Sequence, residues 1–187
     1  MAKKKLKPIL ANKIFIYDEL LVAANRNVLW KKLQPISETI AIIEGKLYQF
    51  KNDIIYLRLD DMERNRGANT VFGAIYEFKP EEMVAVLDNI ASYKGCSQHR
   101  TYGVIRKNDI TFPLSIVAHP ITFNSVEDFK AYNYKIQQGQ QCIVFCGNIK
   151  HSQVHSIVKV RRHFRIMQNF YIKGIVDLLQ RKGYKLE

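Results

Sequence analysis

Cys142, Cys146, His151 and His155 are residues of the types that ligate zinc, and they follow one another with three, four and three residues between them. Two thiolates and two imidazoles would satisfy a tetrahedral ion, provided the chain turns tightly between the cysteines. The intervening Ile143-Val144-Phe145 reads instead as strand, in which residues four apart stand ~13 Å from each other. Two such thiols cannot share one ion. No metal and no other cofactor is therefore expected, and buried strand cysteine is the expected state. With Cys96 the chain holds three cysteines, too few and too odd in number for a disulfide framework, which agrees with a reducing, cytoplasmic setting.

The remaining candidates for chemistry are charged. Asp18 and Glu19 directly follow an apolar run and would repel a carboxylate, or receive an amine or a cation. Glu82 and Asp88 flank an amphipathic stretch, where a carboxylate can serve as a general base. Arg100, beside His99, can pair with an acid or line a cavity. Arg161, Arg162 and Arg165, with Lys159, lie largely off an apolar stripe and suit a polyanion or a partner, as do Lys3, Lys4 and Lys5.

These groups need elements to hold them. Lys13 to Tyr17 is a β-rich run, and Leu20 to Leu33 has helical spacing closed off by Pro35. Thr39 to Phe50 resumes strand character, with Gly45 as a bulge or point of close approach. An Asn52-Asp53 turn leads into a strand at Ile54 to Leu57, and the charged stretch from Asp60 to Gly67 reads as a loop. Val71 to Phe78 is the next strand. Pro80-Glu81-Glu82 opens a helix whose apolar side is Met83, Val86, Leu87 and Ile90. Strands are expected at Tyr102 to Arg106, Leu114 to Ala118 and Cys142 to Phe145, with a helix from Val126 to Gln138. From His155 to Arg181, apolar residues at three- and four-residue spacing predict a basic amphipathic helix ending near Gly183. Three roles suit that helix: docking on the domain, forming a homo-oligomer or other protein interface, or facing a polyanion.

The chain has 187 residues and a net charge of +12, and the charge is unevenly placed. Residues 1–13 carry five lysines and no acid, residues 150–187 carry nine bases against two acids, and the stretch between them is neutral. A basic N-terminal arm (1–13), a domain (14–149) and a basic C-terminal extension (150–187) are the expected divisions. Any nonspecific nucleic-acid contact belongs to the ends, whose other reading is solubility alone. No helix-turn-helix, zinc knuckle or RNP-type motif is present. No apolar run approaches the ~18 residues needed to span a bilayer, and no signal-peptide pattern follows the basic start.

The succession FIYDELL, EGKLYQF and VFGAIYEFKPEEMVAVLDNIASY resembles the gamma-glutamylcyclotransferase family. The matching positions are Tyr17 and Leu20, Gly45 with Leu47-Tyr48, Gly73 with Ile75-Tyr76, and Leu87-Asp88, spread over Ile14 to Ala118. The resemblance implies an α/β (α+β) fold, a small twisted and partly closed mixed β-sheet or barrel with flanking helices. It also implies a cavity and ligand loop at Tyr17, Asp18, Glu19, Leu20, Tyr76 and Arg100. Two departures bear on activity. Where the family has a Gly-Ser pair offering backbone N–H groups to a substrate carboxylate, this chain has Asp18-Glu19. Where the family has its proton-transferring glutamate, this chain has Ala91, and a methyl group transfers no proton.

The expectation is a catalytically inactive member serving as a binding or structural module. One alternative is an active gamma-glutamylcyclotransferase or gamma-glutamylamine-processing enzyme using Asp88 or Glu19 as a displaced carboxylate. Another is a component of a nucleoprotein or virion-like assembly, in a virion or the cytoplasm of a host.

Overall fold

In the computed structural model the elements are, in chain order, β1 (Lys13–Tyr17), α1 (Glu19–Asn25), β2 (Ser37–Glu44), β3 (Leu47–Phe50), β4 (Ile55–Leu57), β5 (Thr70–Glu77), α2 (Met83–Ser92), β6 (Pro113–Thr122), α3 (Val126–Lys130), β7 (Lys135–Ile136), β8 (Gln140–Phe145), β9 (Val154–Val158) and α4 (residues 177–181). The structure describes residues 11–17, 19–45, 47–50, 55–57, 70–92, 113–131, 133–145, 154–158 and 177–184. Of residues 19, 47–50, 55–57, 91–92, 113–114, 130, 145 and 154–158 it describes the backbone alone. The expected turn at Asn52-Asp53, the loop at Asp60 to Gly67 and the strand at Tyr102 to Arg106 lie outside the described residues.

β1 has no polar alternation: Ile14, Phe15, Ile16 and Tyr17 are all buried, as in a strand covered on both faces. It pairs antiparallel with β5 from Lys13↔Glu77 to Tyr17↔Gly73, and parallel with β8 at Ile14↔Ile143. β5 pairs on its other side with all eight residues of β2, from Ser37↔Glu77 to Glu44↔Thr70. β8 runs antiparallel to β6 from Pro113↔Phe145 to Ala118↔Gln140.

β6 closes the sheet by changing partners along its length. Its next two residues meet β2 at Ala41↔Pro120 and Ile42↔His119, and its last two meet β7 at Ile121↔Ile136 and Thr122↔Lys135. The circuit β2-β5-β1-β8-β6 therefore returns to β2, giving a closed five-stranded barrel-like sheet in a mixed α+β chain. Closure leaves no free edge around the circuit. The expectation of partial closure is sharpened accordingly. Pro120 offers no N–H to a ladder, and its carbonyl accepts from the Gln137 N–H at 2.8 Å. A second sheet, β4-β3-β9, takes the end of the stretch expected as strand from Thr39 to Phe50, which divides into β2 and β3, the strand expected at Ile54 to Leu57, and a strand from the C-terminal region.

Three sequence expectations are corrected. The helix expected from Leu20 to Leu33 stops at Asn25, because Asn27 takes a left-handed backbone (φ 59°). The Asn27 N–H then donates to Ala24 O and the Val28 N–H to Ala23 O, each at 3.0 Å, a Schellman termination with asparagine at the left-handed position. The helix expected from Val126 to Gln138 ends at Lys130. Ser125 caps its start by accepting from the Asp128 N–H at 3.1 Å, and Lys135-Ile136 adds to the edge of β6 instead.

The third correction concerns the C-terminal region, where the continuous helix from His155 is replaced at its start by β9. The β-branched Val154, Ile157 and Val158 suit a strand, and β3 offers a ladder from Leu47↔Val158 to Phe50↔Val154, with His155 as the extra residue of a bulge. Helix is found at residues 177–181, ending where expected. Gly183 sits at φ 85°, the Tyr184 N–H donates to Leu179 O and the Gly183 N–H to Gln180 O, each at 3.0 Å.

The core joins these pieces. Met83, Val86 and Ile90 on α2 are each 0 % exposed, confirming the apolar side read from their spacing. Leu178 and Leu179 of α4 are likewise buried in the chain's own core. Trp30, Tyr76 and Phe78 form an aromatic group with ring centroids 4.9–5.0 Å from the indole. Fully burying a side chain of this size contributes about 2–3 kcal/mol.

Candidate functional site

Strand register decides which of the expected residues meet. Tyr17 stands opposite Gly73, and Tyr76 is three residues along from Gly73 on the same strand, so Tyr17 and Tyr76 lie on opposite faces of the sheet. On one face the Phe15 and Tyr17 rings stack at 6.4 Å, over the space left by Gly73. A Cβ on Gly73 would lie 2.2 Å from Ile16 O and 2.6 Å from Phe15 Cζ, so the glycine is what lets β1 and its aromatic ring come this close.

On the other face Glu38, Tyr76 and Ile14 form one cross-strand row. The Tyr76 hydroxyl donates to Asn25 Oδ1 at 2.5 Å, and the same oxygen accepts from Arg181 Nη2 at 2.6 Å. Arg181 Nη2 also meets Glu38 Oε2 at 3.0 Å. Asn25 is the last residue of α1 and Arg181 the last of α4, so two helix ends and the β2–β5 ladder converge on one corner. Burial pushes the Tyr76 phenol well above its ordinary value, the Glu38 charge adds to the rise, and Arg181 opposes it. The phenol is therefore held neutral, as a donor. Beside it the Trp30 indole N–H is buried with no hydrogen-bond partner among the described residues.

Of the expected cavity and ligand-loop residues, Tyr17 (1 % exposed), Leu20 (2 %) and Tyr76 (0 %) are packed into the core. Asp18, Arg100 and the side chain of Glu19 lie outside the described residues. Asp88 is exposed on α2, turned away from the buried Met83, Val86 and Ile90, while Ala91 lies in the same helix with its side chain outside the described residues. Cys142 is buried in β8; burial pushes its thiol up to about 12, partly offset by the Lys13 charge. Cys146, His151 and the side chain of His155 lie outside the described residues, among which no group of three metal-ligating side chains occurs. Lys3, Lys4, Lys5, Lys159, Arg161, Arg162 and Arg165 also lie outside them.

Sequence reasoning missed Asn25, Glu38 and Arg181. One signal was present: an asparagine closing the otherwise apolar LLVAAN run is a polar group about to be buried. Its partners depend on strand register and on a contact 156 residues away, neither of which has a local signature. A surface cavity of about 390 Å³, lined by Asn124, Ser125, Lys182, Gly183 and Tyr184, lies at the end of α4.

No helix among the described residues is long and apolar enough to cross a membrane. No protein-family model matches the chain. No curated protein matches it either. Among solved structures, a yeast gamma-glutamyl cyclotransferase specific to glutathione is a distant neighbour, with a TM-score of 0.41 and 13 % identity over 77 % of this chain and 72 % of that one.

Proposed function

We propose that this chain is a non-catalytic binding or structural module on a gamma-glutamylcyclotransferase-like barrel. The observation that carries this reading is the packing of the expected ligand-loop residues. A side chain lining a space that admits water keeps accessible area, yet Tyr17, Leu20 and Tyr76 keep 2 % or less, and the two tyrosines occupy opposite faces. A small-molecule site needs a concave space with convergent polar groups. The exposure of Asp88 weighs against its use as a displaced base, since such a group must come within hydrogen-bond reach of a bound substrate.

Work for this protein then falls to its surface and its basic ends. Lys3, Lys4, Lys5, Lys159, Arg161, Arg162 and Arg165 are the groups we assign to a polyanion or an acidic partner. The test is incubation with γ-glutamyl amines and detection of 5-oxoproline. No turnover above buffer is expected. Turnover abolished by Asp88→Asn or Glu19→Gln would overturn the reading.

A further inference from the structure

The corner formed by Asn25, Glu38 and Tyr76 has the form of a receptor. Glu38 and Tyr76 stand directly opposite each other in the β2–β5 ladder, and the Tyr76 hydroxyl orients the Asn25 amide by donating to its oxygen. Asn25 is 6 % exposed and Tyr76 is 0 %. All three groups belong to the barrel and α1. What they hold comes from elsewhere: one atom, Arg181 Nη2, donates to the Asn25 amide oxygen at 2.6 Å and to the Glu38 carboxylate at 3.0 Å. The contacts span 156 and 143 residues of sequence.

We infer that the Asn25–Glu38–Tyr76 corner is a binding site for an alkylguanidinium group, which the chain's own Arg181 fills, so that the C-terminal helix α4 is a self-bound strap. The chemistry selects this class. One carboxylate and one neutral amide oxygen match a monocation, and a divalent metal would require more oxygen ligands than the described residues of this corner supply. Both contacts come from the one nitrogen Nη2, which leaves the other guanidinium donors for solvent, in keeping with the 40 % exposure of the Arg181 side chain. An ammonium could reach the same two acceptors from one nitrogen, but it is a compact, strongly hydrated charge with a larger desolvation cost to meet at a largely buried corner.

Tethering explains why Arg181 is the resting occupant. A group on the same chain competes at an effective concentration on the order of millimolar, and Leu178 and Leu179 anchor the strap in the core. A guanidinium from outside enters as α4 lifts. The site goes beyond the non-catalytic reading of the barrel and stands whether or not the barrel performs chemistry.

The experiment is vacancy and rescue in the full chain. Arg181→Ala should lower the thermal midpoint. Ethylguanidinium chloride at up to ~20 mM, a range set by the tethered effective concentration, should restore the midpoint along a saturating curve. Sodium chloride at equal ionic strength should not, and the parent protein should show no comparable gain. Adding Glu38→Gln to the alanine variant should weaken the rescue at least ~10-fold, as loss of a charged hydrogen-bond partner does. A response to ethylguanidinium no larger than that to sodium would sink the proposal, and an equal response to ethylammonium would overturn the guanidinium assignment. If Arg181→Ala does not fold, Arg181→Gln takes its place. The parent chain supplies an independent reading: ethylguanidinium should speed hydrogen exchange at the Lys182, Gly183 and Tyr184 amides, which bond back into α4. Exchange no faster than in sodium chloride overturns the competition.

Discussion

Replacing Gly73 with alanine adds one methyl group where a strand backbone and a buried ring leave it no room. The new Cβ would stand 2.2 Å from Ile16 O, a backbone atom of a strand bonded on both sides, and 2.6 Å from Phe15 Cζ, in a ring that is 1 % exposed. Relief requires β1 to move away by about 1 Å, which disturbs its ladder with β5 and its contact with β8. Overpacking of this kind costs ~1–3 kcal/mol, and a backbone obstacle places Gly73→Ala at the upper end. The stiffer unfolded chain returns ~0.4–1 kcal/mol. The net loss is then about 2 kcal/mol. With a urea dependence of ~2 kcal/mol per molar, the unfolding midpoint should fall by about 1 M. Gly183→Ala is the comparison, because a Cβ there meets nothing within 4 Å and the cost is only that of a left-handed backbone (φ 85°), ~1–2 kcal/mol. Gly139→Ala should be milder than Gly73→Ala, since its Cβ would meet the ends of the Val117 and His119 side chains, which can rotate. A Gly73→Ala midpoint equal to that of the parent would refute the close-approach argument.

Removing the Ser125 hydroxyl should cost ~1 kcal/mol in urea unfolding, the usual loss of an N-cap, and Ser125→Asp should recover most of it. The Cys142 thiol should resist maleimide at pH 8 in the folded protein and react once the chain is unfolded, as mass-spectrometric mapping of the labelled residue would show. Its folded value lies above the ordinary 9.0, so the folded state holds the proton more tightly and stability is lost as pH rises from 9 toward 12. Within that window the slope from this group is at most ~1.4 kcal/mol per pH unit. Cys142→Ala should flatten that part of the alkaline unfolding curve, and an unchanged curve would refute the assignment. Tyr76→Phe should destabilise by ~1 kcal/mol and reduce alkaline sensitivity above pH 10, because the raised phenol acts in the same direction as the thiol.

Strands buried on both faces were the most legible part of this chain. β1 matches its expected range, Lys13 to Tyr17, and β5 differs from its expected range by one residue at each end. Helix ends depending on backbone handedness were less so, as with Asn27, where nothing but an asparagine hints at φ 59°. β7 and β9 were read as helix because two to five residues carry too little periodicity to choose a period, and the choice was made by partners far away in sequence. Barrel closure was legible only as the partial closure that the family resemblance implies, because the β2–β6 seam rests on two register pairs and leaves no local trace. The candidate site was legible as residue types only. That Tyr17 and Tyr76 sit on opposite faces follows from register, which a list of motifs does not contain.

The place of β8 in the strand order has a consequence for how the chain is made. β8 lies between β1 and β6 and is the last of the circuit's five strands in sequence. Until residue 145 leaves the ribosome, β1 and β6 lack β8, the strand that bonds the edges between them, and those edges are rich in Ile, Val and Phe. The nascent chain therefore passes through an open, adhesive sheet between the emergence of β5 and that of β8, and chaperone dependence should fall when β8 slots in.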